Sequence, residues 1–198
     1  MACDGLLTAD ILFDCDNAMV GGIEVNVLLF NHKDLNKSAV TFLATNKTVM
    51  TNFQLMSGKA GFLFQGVKQV NNASFELVKK AMGPDKFKHI FTGTILNFSA
   101  ENKERLMEMS EGGKYAVMVE LKWKGTAAAD AFQLFGYDSG LELNVATYGT
   151  SVNDGVISIE LSSAEGYEES KPAFTVLETD YTTTLTAFGN KFAQAVTV

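Results

Sequence analysis

The sequence predicts one mainly β domain: a β-sandwich or barrel of about ten strands with one or two flanking α-helices. Apolar and polar side chains alternate along most of the chain, and Thr and β-branched residues are frequent in these stretches. Only two prolines, Pro84 and Pro172, are present, so many strands can lie inside a sheet. The 198 residues suffice for a single domain, residues 1–198, that buries a sizeable core.

The clearest predicted strand lies at residues 114–124. One of its faces is apolar and ends in Trp123, which we therefore expect in the core. The other face turns polar at Glu120, so we expect its second half to be solvated. Further strands are predicted at 22–30, 40–44, 49–55, 62–67, 88–98, 132–137, 141–148, 156–161 and 174–179, with a hairpin turn at Asp138-Ser139-Gly140.

Helix signals are few. Ser99 is a good N-cap for a helix over residues 100–111, and the glycines at 112 and 113 would end it. Residues 74–82 fit a helix or a strand equally well. We assign an N-terminal arm to about residues 1–20 and a C-terminal arm to about 180–198. The C-terminal arm is apolar and Thr-rich, which predicts docking, either on its own domain or on a neighbouring subunit.

Charge limits the classes of partner. The formal net charge is -7, and residues 130–180 hold ten acids and one Lys. Such a region repels polyanions, and Arg105 is the only arginine available for a bidentate grip on phosphate. A nucleic-acid-gripping role is therefore disfavoured. The apolar run at residues 23–30 is too short to span a bilayer, and the N-terminus lacks the pattern of a secretory signal.

Side chains suited to chemistry are sparse. His32 and His89 have no second His or Cys at metal-ligand spacing, so we interpret both as surface or structurally satisfied residues. Residues 14–17, Asp-Cys-Asp-Asn, place several oxygens together with Glu24 nearby, but the glycine spacing favours a turn over a calcium loop. The only cysteines, Cys3 and Cys15, either pair in an oxidising compartment or stay reduced, as their low number favours.

The adjacent Glu168 and Glu169 lie in the acidic loop predicted at residues 162–171. Neighbouring side chains diverge and solvent should remain around them, which does not suit paired-carboxylate catalysis. We therefore expect no catalytic residue, no cofactor-binding residue, no cofactor and no metal site.

Four stretches carry a family resemblance: residues 6–17 (Leu-Leu-Thr-Ala-Asp-Ile-Leu-Phe-Asp-Cys-Asp-Asn), 75–90 (beginning Phe-Glu-Leu-Val-Lys-Lys), 99–104 and 178–195. Together they resemble virion structural proteins of tailed bacteriophages, most closely the tail tube (major tail) proteins. The resemblance implies non-enzymatic subunits made in the host cytoplasm. It also implies stacked rings, commonly hexameric, in the virion tail, whose inner strands join into a barrel around a lumen and which contact other tail proteins.

The resemblance also gives the charge a role. An acidic lumen would let DNA pass without specific binding during ejection. A basic segment could then meet the acidic region 130–180 of a neighbouring copy. Two alternatives remain open: another virion component, such as a capsid decoration or head–tail joining protein, and a ligand-binding β-sandwich, which would display exposed Trp or Tyr. The basic segment contains Lys68, Lys79, Lys80, Lys86 and Lys88.

Overall fold

The computed structural model describes residues 9–11, 17–67, 70–151 and 155–196, and these form eleven β-strands and two α-helices. The predicted mainly β class with one or two helices is confirmed. In chain order the elements are β1 (Ile23–Asn31), β2 (Thr41–Phe42), β3 (Val49–Asn52), β4 (Phe62–Gln65), β5 (Asn72–Val78), β6 (Lys86–Ile95), α1 (Ala100–Ser110), β7 (Tyr115–Leu121), β8 (Phe132–Phe135), β9 (Glu142–Tyr148), β10 (Ile157–Ser162), β11 (Phe174–Val176) and α2 (Tyr181–Gly189).

The strands form two sheets. The larger has the order β2-β3-β11-β8-β7-β1-β4, and the smaller has the order β5-β6-β10-β9. Neighbouring strands are antiparallel throughout, except for β3 and β11, which are parallel. The ambiguous residues 74–82 lie mostly in strand β5.

The larger sheet is the middle layer of the molecule. On β1, Leu28 and Phe30 face a core that includes Phe188 and Phe192 from the C-terminal segment. Val27 and Leu29 face the opposite way, into a core shared with the smaller sheet. Because both faces of the central strands are covered, β1 and β7 carry nearly continuous apolar runs.

The smaller sheet lies across the larger one. The His89 ring of β6 packs edge-on against Phe135 of β8, with ring centroids 5.4 Å apart. Further along the same strand, Phe91 packs against Phe64 of β4 at 5.7 Å. Since β7 and β1 separate β8 from β4, β6 must cross the strands beneath it rather than follow them.

Two predictions for β7 are wrong. Glu120 is buried rather than solvated, because α2 covers it: its Oε1 accepts from Tyr181 Oη at 2.8 Å and from Lys124 Nζ at 2.6 Å. Trp123 lies beyond the end of the strand and is half-buried rather than part of the core. Its Nε1 donates to the carbonyl of Asn17 at 3.0 Å.

The predicted first helix is confirmed as α1, where Ser99 Oγ accepts from the Asn102 amide at 3.2 Å. Helix α2 was not predicted. Asp180 caps its N-terminus, accepting from the Thr183 amide at 2.7 Å. Beyond it, Phe192 inserts into the core, so the described part of the C-terminal arm docks on its own domain. Neither helix in the described ranges has the length and apolar character needed to cross a membrane.

Candidate functional site

The chain's two histidines contact the same hairpin turn, residues 136–140, which we call the β8–β9 turn. His89 is fully buried on β6. Its Nδ1 accepts from the Gly136 amide at 3.0 Å, and its Nε2 lies 3.1 Å from the carbonyl of Lys171. Burial lowers the pKa of His89 to about 4, although its bond to the Lys171 carbonyl acts in the opposite direction.

His32 contacts the turn from its other side. Its Nε2 lies 3.0 Å from the carbonyl oxygen of Tyr137. Lys37 Nζ is 3.1 Å from the same nitrogen and donates to the carbonyl of Asp138 at 2.8 Å. Burial lowers the pKa of His32, and the nearby Lys37 charge lowers it further. As predicted, both histidines are structurally satisfied by neighbouring groups.

Glu169 joins the turn to the segment of residues 163–171, which we call the acidic loop. Its carboxylate accepts from the amides of Asp138 at 2.5 Å and Ser139 at 2.9 Å, and it is fully buried. Burial raises the pKa of Glu169, while these amide bonds act to lower it. Backbone bonds between Glu169 and Phe87 fasten the loop to β6. The prediction that solvent surrounds this carboxylate is wrong.

Glu168 is also buried, but its side chain diverges from that of Glu169, as predicted. Its Oε1 lies 2.7 Å from Lys80 Nζ, and this hydrogen bond holds the pKa of Glu168 at about 2. Lys80 belongs to the predicted basic segment. At this pair, therefore, basic segment and acidic region meet within one chain; a contact between chains remains a prediction.

The side chains of this cluster hold main-chain groups. Both nitrogens of His89 are occupied by main-chain groups, and Glu169 accepts from two partly buried amides. Within the described residues, no three His, Cys, Asp or Glu side chains are grouped as metal ligands. Cys3 and the Asp-Cys-Asp of residues 14–16 lie outside the described residues.

The turn is predictable from the sequence, but the side chains that contact it are not. Asp138-Ser139-Gly140 is a recognisable hairpin signal. That His32, His89 and Glu169 all converge on it depends on how β1, β6 and the acidic loop pack, and no local pattern encodes this. A buried His between strand-forming aromatic residues, as in Phe87-Lys-His89-Ile-Phe91, is the one signal that could have suggested an interior position.

We expect Glu169→Gln to destabilise the fold by about 2 kcal/mol, because one partly buried amide loses its acceptor and faces a buried NH₂ group instead. Chemical denaturation followed by circular dichroism would measure the change. The matched control is Glu165→Gln in the same loop, which is exposed and should change stability by less than about 0.5 kcal/mol. Equal effects for the two variants would contradict a holding role for Glu169.

A second candidate feature is the pair of edges of the smaller sheet. Among the described residues, no strand pairs with the outer edge of β5 or β9. Both strands expose large apolar side chains: Phe75 is 48% and Leu77 53% exposed on β5, and Val145 is 40% and Tyr148 42% exposed on β9. Unpaired edges with apolar side chains favour pairing with another chain.

The face that the smaller sheet turns away from the larger sheet is mostly polar, and its apolar positions are Val78, Ile90 and Val145. This outer face alternates with the buried positions of β6 and β10, such as Phe91 and Leu161. Its carboxylates outnumber its lysines by three to two, so its acidic excess is small. The carboxylates are Glu76, Glu142 and Glu160, the lysines are Lys86 and Lys88, and the hydroxyls are Ser74, Thr92, Thr94, Thr147, Ser158 and Ser162.

Aromatic side chains also cluster beside β9. Tyr148 stacks on Phe98, with centroids 3.9 Å apart and planes 4° from parallel, and Lys103 Nζ lies 3.9 Å from the Phe98 ring centroid. Both rings remain partly exposed. The β9 edge therefore ends in a preformed flat surface.

The chain matches no protein-family model, no curated protein and no solved structure.

Proposed function

We propose that this protein is a structural, non-enzymatic subunit that self-assembles into stacked rings forming a bacteriophage tail tube, a passive conduit for DNA ejection. The family resemblance suggests this role. The observation that carries it is the smaller sheet, whose edge strands β5 and β9 are both unpaired within the described residues and both expose apolar side chains. A second copy can extend such a sheet by main-chain hydrogen bonds.

The strand count suits a ring. The sheet has four strands, and each antiparallel step reverses direction, so β9 runs opposite to β5. In a ring, rotation about the axis leaves the strands of each copy pointing the same way. Joining β9 of one copy to β5 of the next therefore continues the antiparallel pattern around the ring. Such a contact is head-to-tail, and rings form when its rotation closes.

The outer face then lines the lumen, because the inner face packs on the larger sheet. Hydroxyl side chains are the largest polar group on the outer face, although Thr94 and Ser162 are buried, and its few charges nearly balance. The face has no arginine to hold phosphate with a bidentate fork. Repulsion of DNA would be weaker than the count of acids in residues 130–180 suggests. Two of those acids, Glu168 and Glu169, are buried.

The test uses one substitution at each edge. Leu77→Lys on β5 and Ala146→Lys on β9 should each abolish rings and tubes in negative-stain microscopy, because both positions lie on the inner face of the sheet, where a charge would be buried at the junction. The control is Leu185→Lys, which places the same charge on α2, on the opposite side of the larger sheet from the smaller sheet, and should leave assembly intact.

Mixing the two edge variants sharpens the test. Each retains one intact edge, so a mixture should form heterodimers that grow no further, visible in sedimentation velocity. Tubes that persist in either variant would overturn the edge-to-edge junction. Closed rings of wild-type protein that never stack would favour another virion component, and a wild-type monomer that binds glycans would favour the ligand-binding alternative.

A further inference from the structure

His89 can hold the β8–β9 turn in only one protonation state. Its Nε2 faces a carbonyl oxygen of Lys171 and must carry a hydrogen. Its Nδ1 faces the Gly136 N–H and must present a lone pair. Only the neutral Nε2–H tautomer satisfies both partners. A proton from solvent on Nδ1 would set two N–H groups against each other and break the bond to Gly136.

The surroundings of His89 give that proton no other acceptor. The imidazole is fully buried, and the rings of Phe135 at 5.4 Å and Phe75 at 6.3 Å pack around it. Protonation therefore cannot be absorbed in place and requires the ring to reach water. The groups that would separate are the turn on one side and the acidic loop on the other.

The contacts of the acidic loop define what would open. Ser163 exchanges hydrogen bonds with the main chain of His89, and Glu169 does so with Phe87. Ser170 donates from its amide to Asp138 at 3.0 Å. These contacts lie outside the ladders of both sheets, so they can part while the sheets stay paired.

We propose that His89 is a pH sensor that keeps the β8–β9 turn and the acidic loop closed when neutral and releases them when protonated. The lowered pKa of His89, about 4, agrees with this geometry. Since an exposed imidazole binds its proton near pH 6.5, opening gains a proton between pH 6.5 and 4. The equilibrium constant for opening should therefore increase by up to about tenfold for each unit by which the pH falls within that window.

Other charged groups around the cluster modify this response. The Asp138 carboxylate favours protonated His89. Glu169 acts against His89 in this response. Because its pKa is raised in the closed state, Glu169 loses a proton on opening, so acid favours the closed state at this residue. His32 and Lys37 lie on the far side of the turn from His89. The other charged groups near the cluster are directed away from His89. Lys171 Nζ donates to the carbonyl of Lys47, Lys80 pairs with Glu168, and Glu76 and Lys88 lie on the outer face.

The test is native-state hydrogen exchange of the full chain, expressed as protection factors between pH 7 and 4.5. Protection of the Gly136 amide and of the acidic loop should fall with pH, while amides of β10 stay protected. His89→Asn keeps an acceptor for Gly136 without titrating, so it should remove most of this slope. Comparing it with wild type cancels the contribution of Glu169. The second variant, His32→Gln, should retain most of the slope, because His32 is only partly buried, although its lowered pKa acts in the same direction as that of His89.

The proposal would be overturned by protection that does not change with pH, by a slope that survives in His89→Asn, or by a slope lost in His32→Gln. A simultaneous loss of protection in β10 would also do so, because it reports global unfolding. If His89→Asn does not fold, nitrogen NMR of the wild-type protein, which reports the tautomer and protonation state of His89, replaces the variant as the test. The Nε2–H tautomer should persist to pH 5, and titration near pH 6.5 with the loop still protected would refute the sensor.

Discussion

Phe91→Ala should destabilise the protein by about 3–5 kcal/mol, the cost of removing a fully buried aromatic ring. Phe91 is fully buried at the centre of the core between the two sheets. Its ring packs edge-on against Phe64, and a Cβ on Gly93 would lie within 3.0 Å of both rings. Because paired strands fix the backbone on both sides, the cavity cannot easily collapse.

Urea unfolding followed by the fluorescence of Trp123, the single tryptophan, would measure this loss. The control is Phe75→Ala on the neighbouring strand β5, where the ring is half exposed and the expected loss is below about 1.5 kcal/mol. A loss for Phe91→Ala no larger than that of the control would mean that the two sheets do not share a packed core.

The second large effect is expected in the C-terminal segment. Phe192 packs edge-on against Phe53 at 5.0 Å and Phe30 at 6.1 Å, and Phe188 lies 5.1 Å from Phe132. Phe192→Ala and Phe188→Ala should each lower the free energy of unfolding by about 3–5 kcal/mol. The double variant should differ from the sum of the single variants, because both rings fill one cluster.

Leu185→Ala is the matched control, since this side chain lies on α2, as Phe188 does, but is partly exposed. Thermal and urea unfolding of the four variants would rank them. If Phe192→Ala matched Leu185→Ala, the segment would contribute little to its own domain, and docking on a neighbouring copy would become the better account of its apolar character.

The sequence predicted the strands because alternation is a local property. The alternating pattern is sufficient to predict the strand at residues 114–124. It does not predict what covers the second half of that strand, so the predictions for Glu120 and Trp123 are wrong. Glu120 appeared solvated because nothing local indicates that Tyr181 and Lys124 would cover and satisfy it. Helix α2 was missed because Thr-Thr-Thr at 182–184 has low helix propensity, and packing of Phe188 outweighs that preference.

The sequence predicts the turn in the candidate site, but it does not predict which distant residues pack around that turn. The turn at residues 138–140 follows from composition. Burial of Glu168 and Glu169 does not, because two adjacent acids in a polar loop normally stay in water. They can be buried here only because Lys80, Asp138 and Ser139 supply donors from other parts of the chain.

The parallel pairing of β3 with β11 has a consequence for synthesis on the ribosome. Val49 pairs with Thr175, and Phe53 is covered by Phe192, so early strands cannot complete their packing until residues 174–192 have been synthesised. Long-range pairing of this kind slows folding and leaves apolar surface uncovered in the nascent chain. Until those residues emerge, Phe30 and Phe53 would be open to chaperones and to aggregation with other nascent copies.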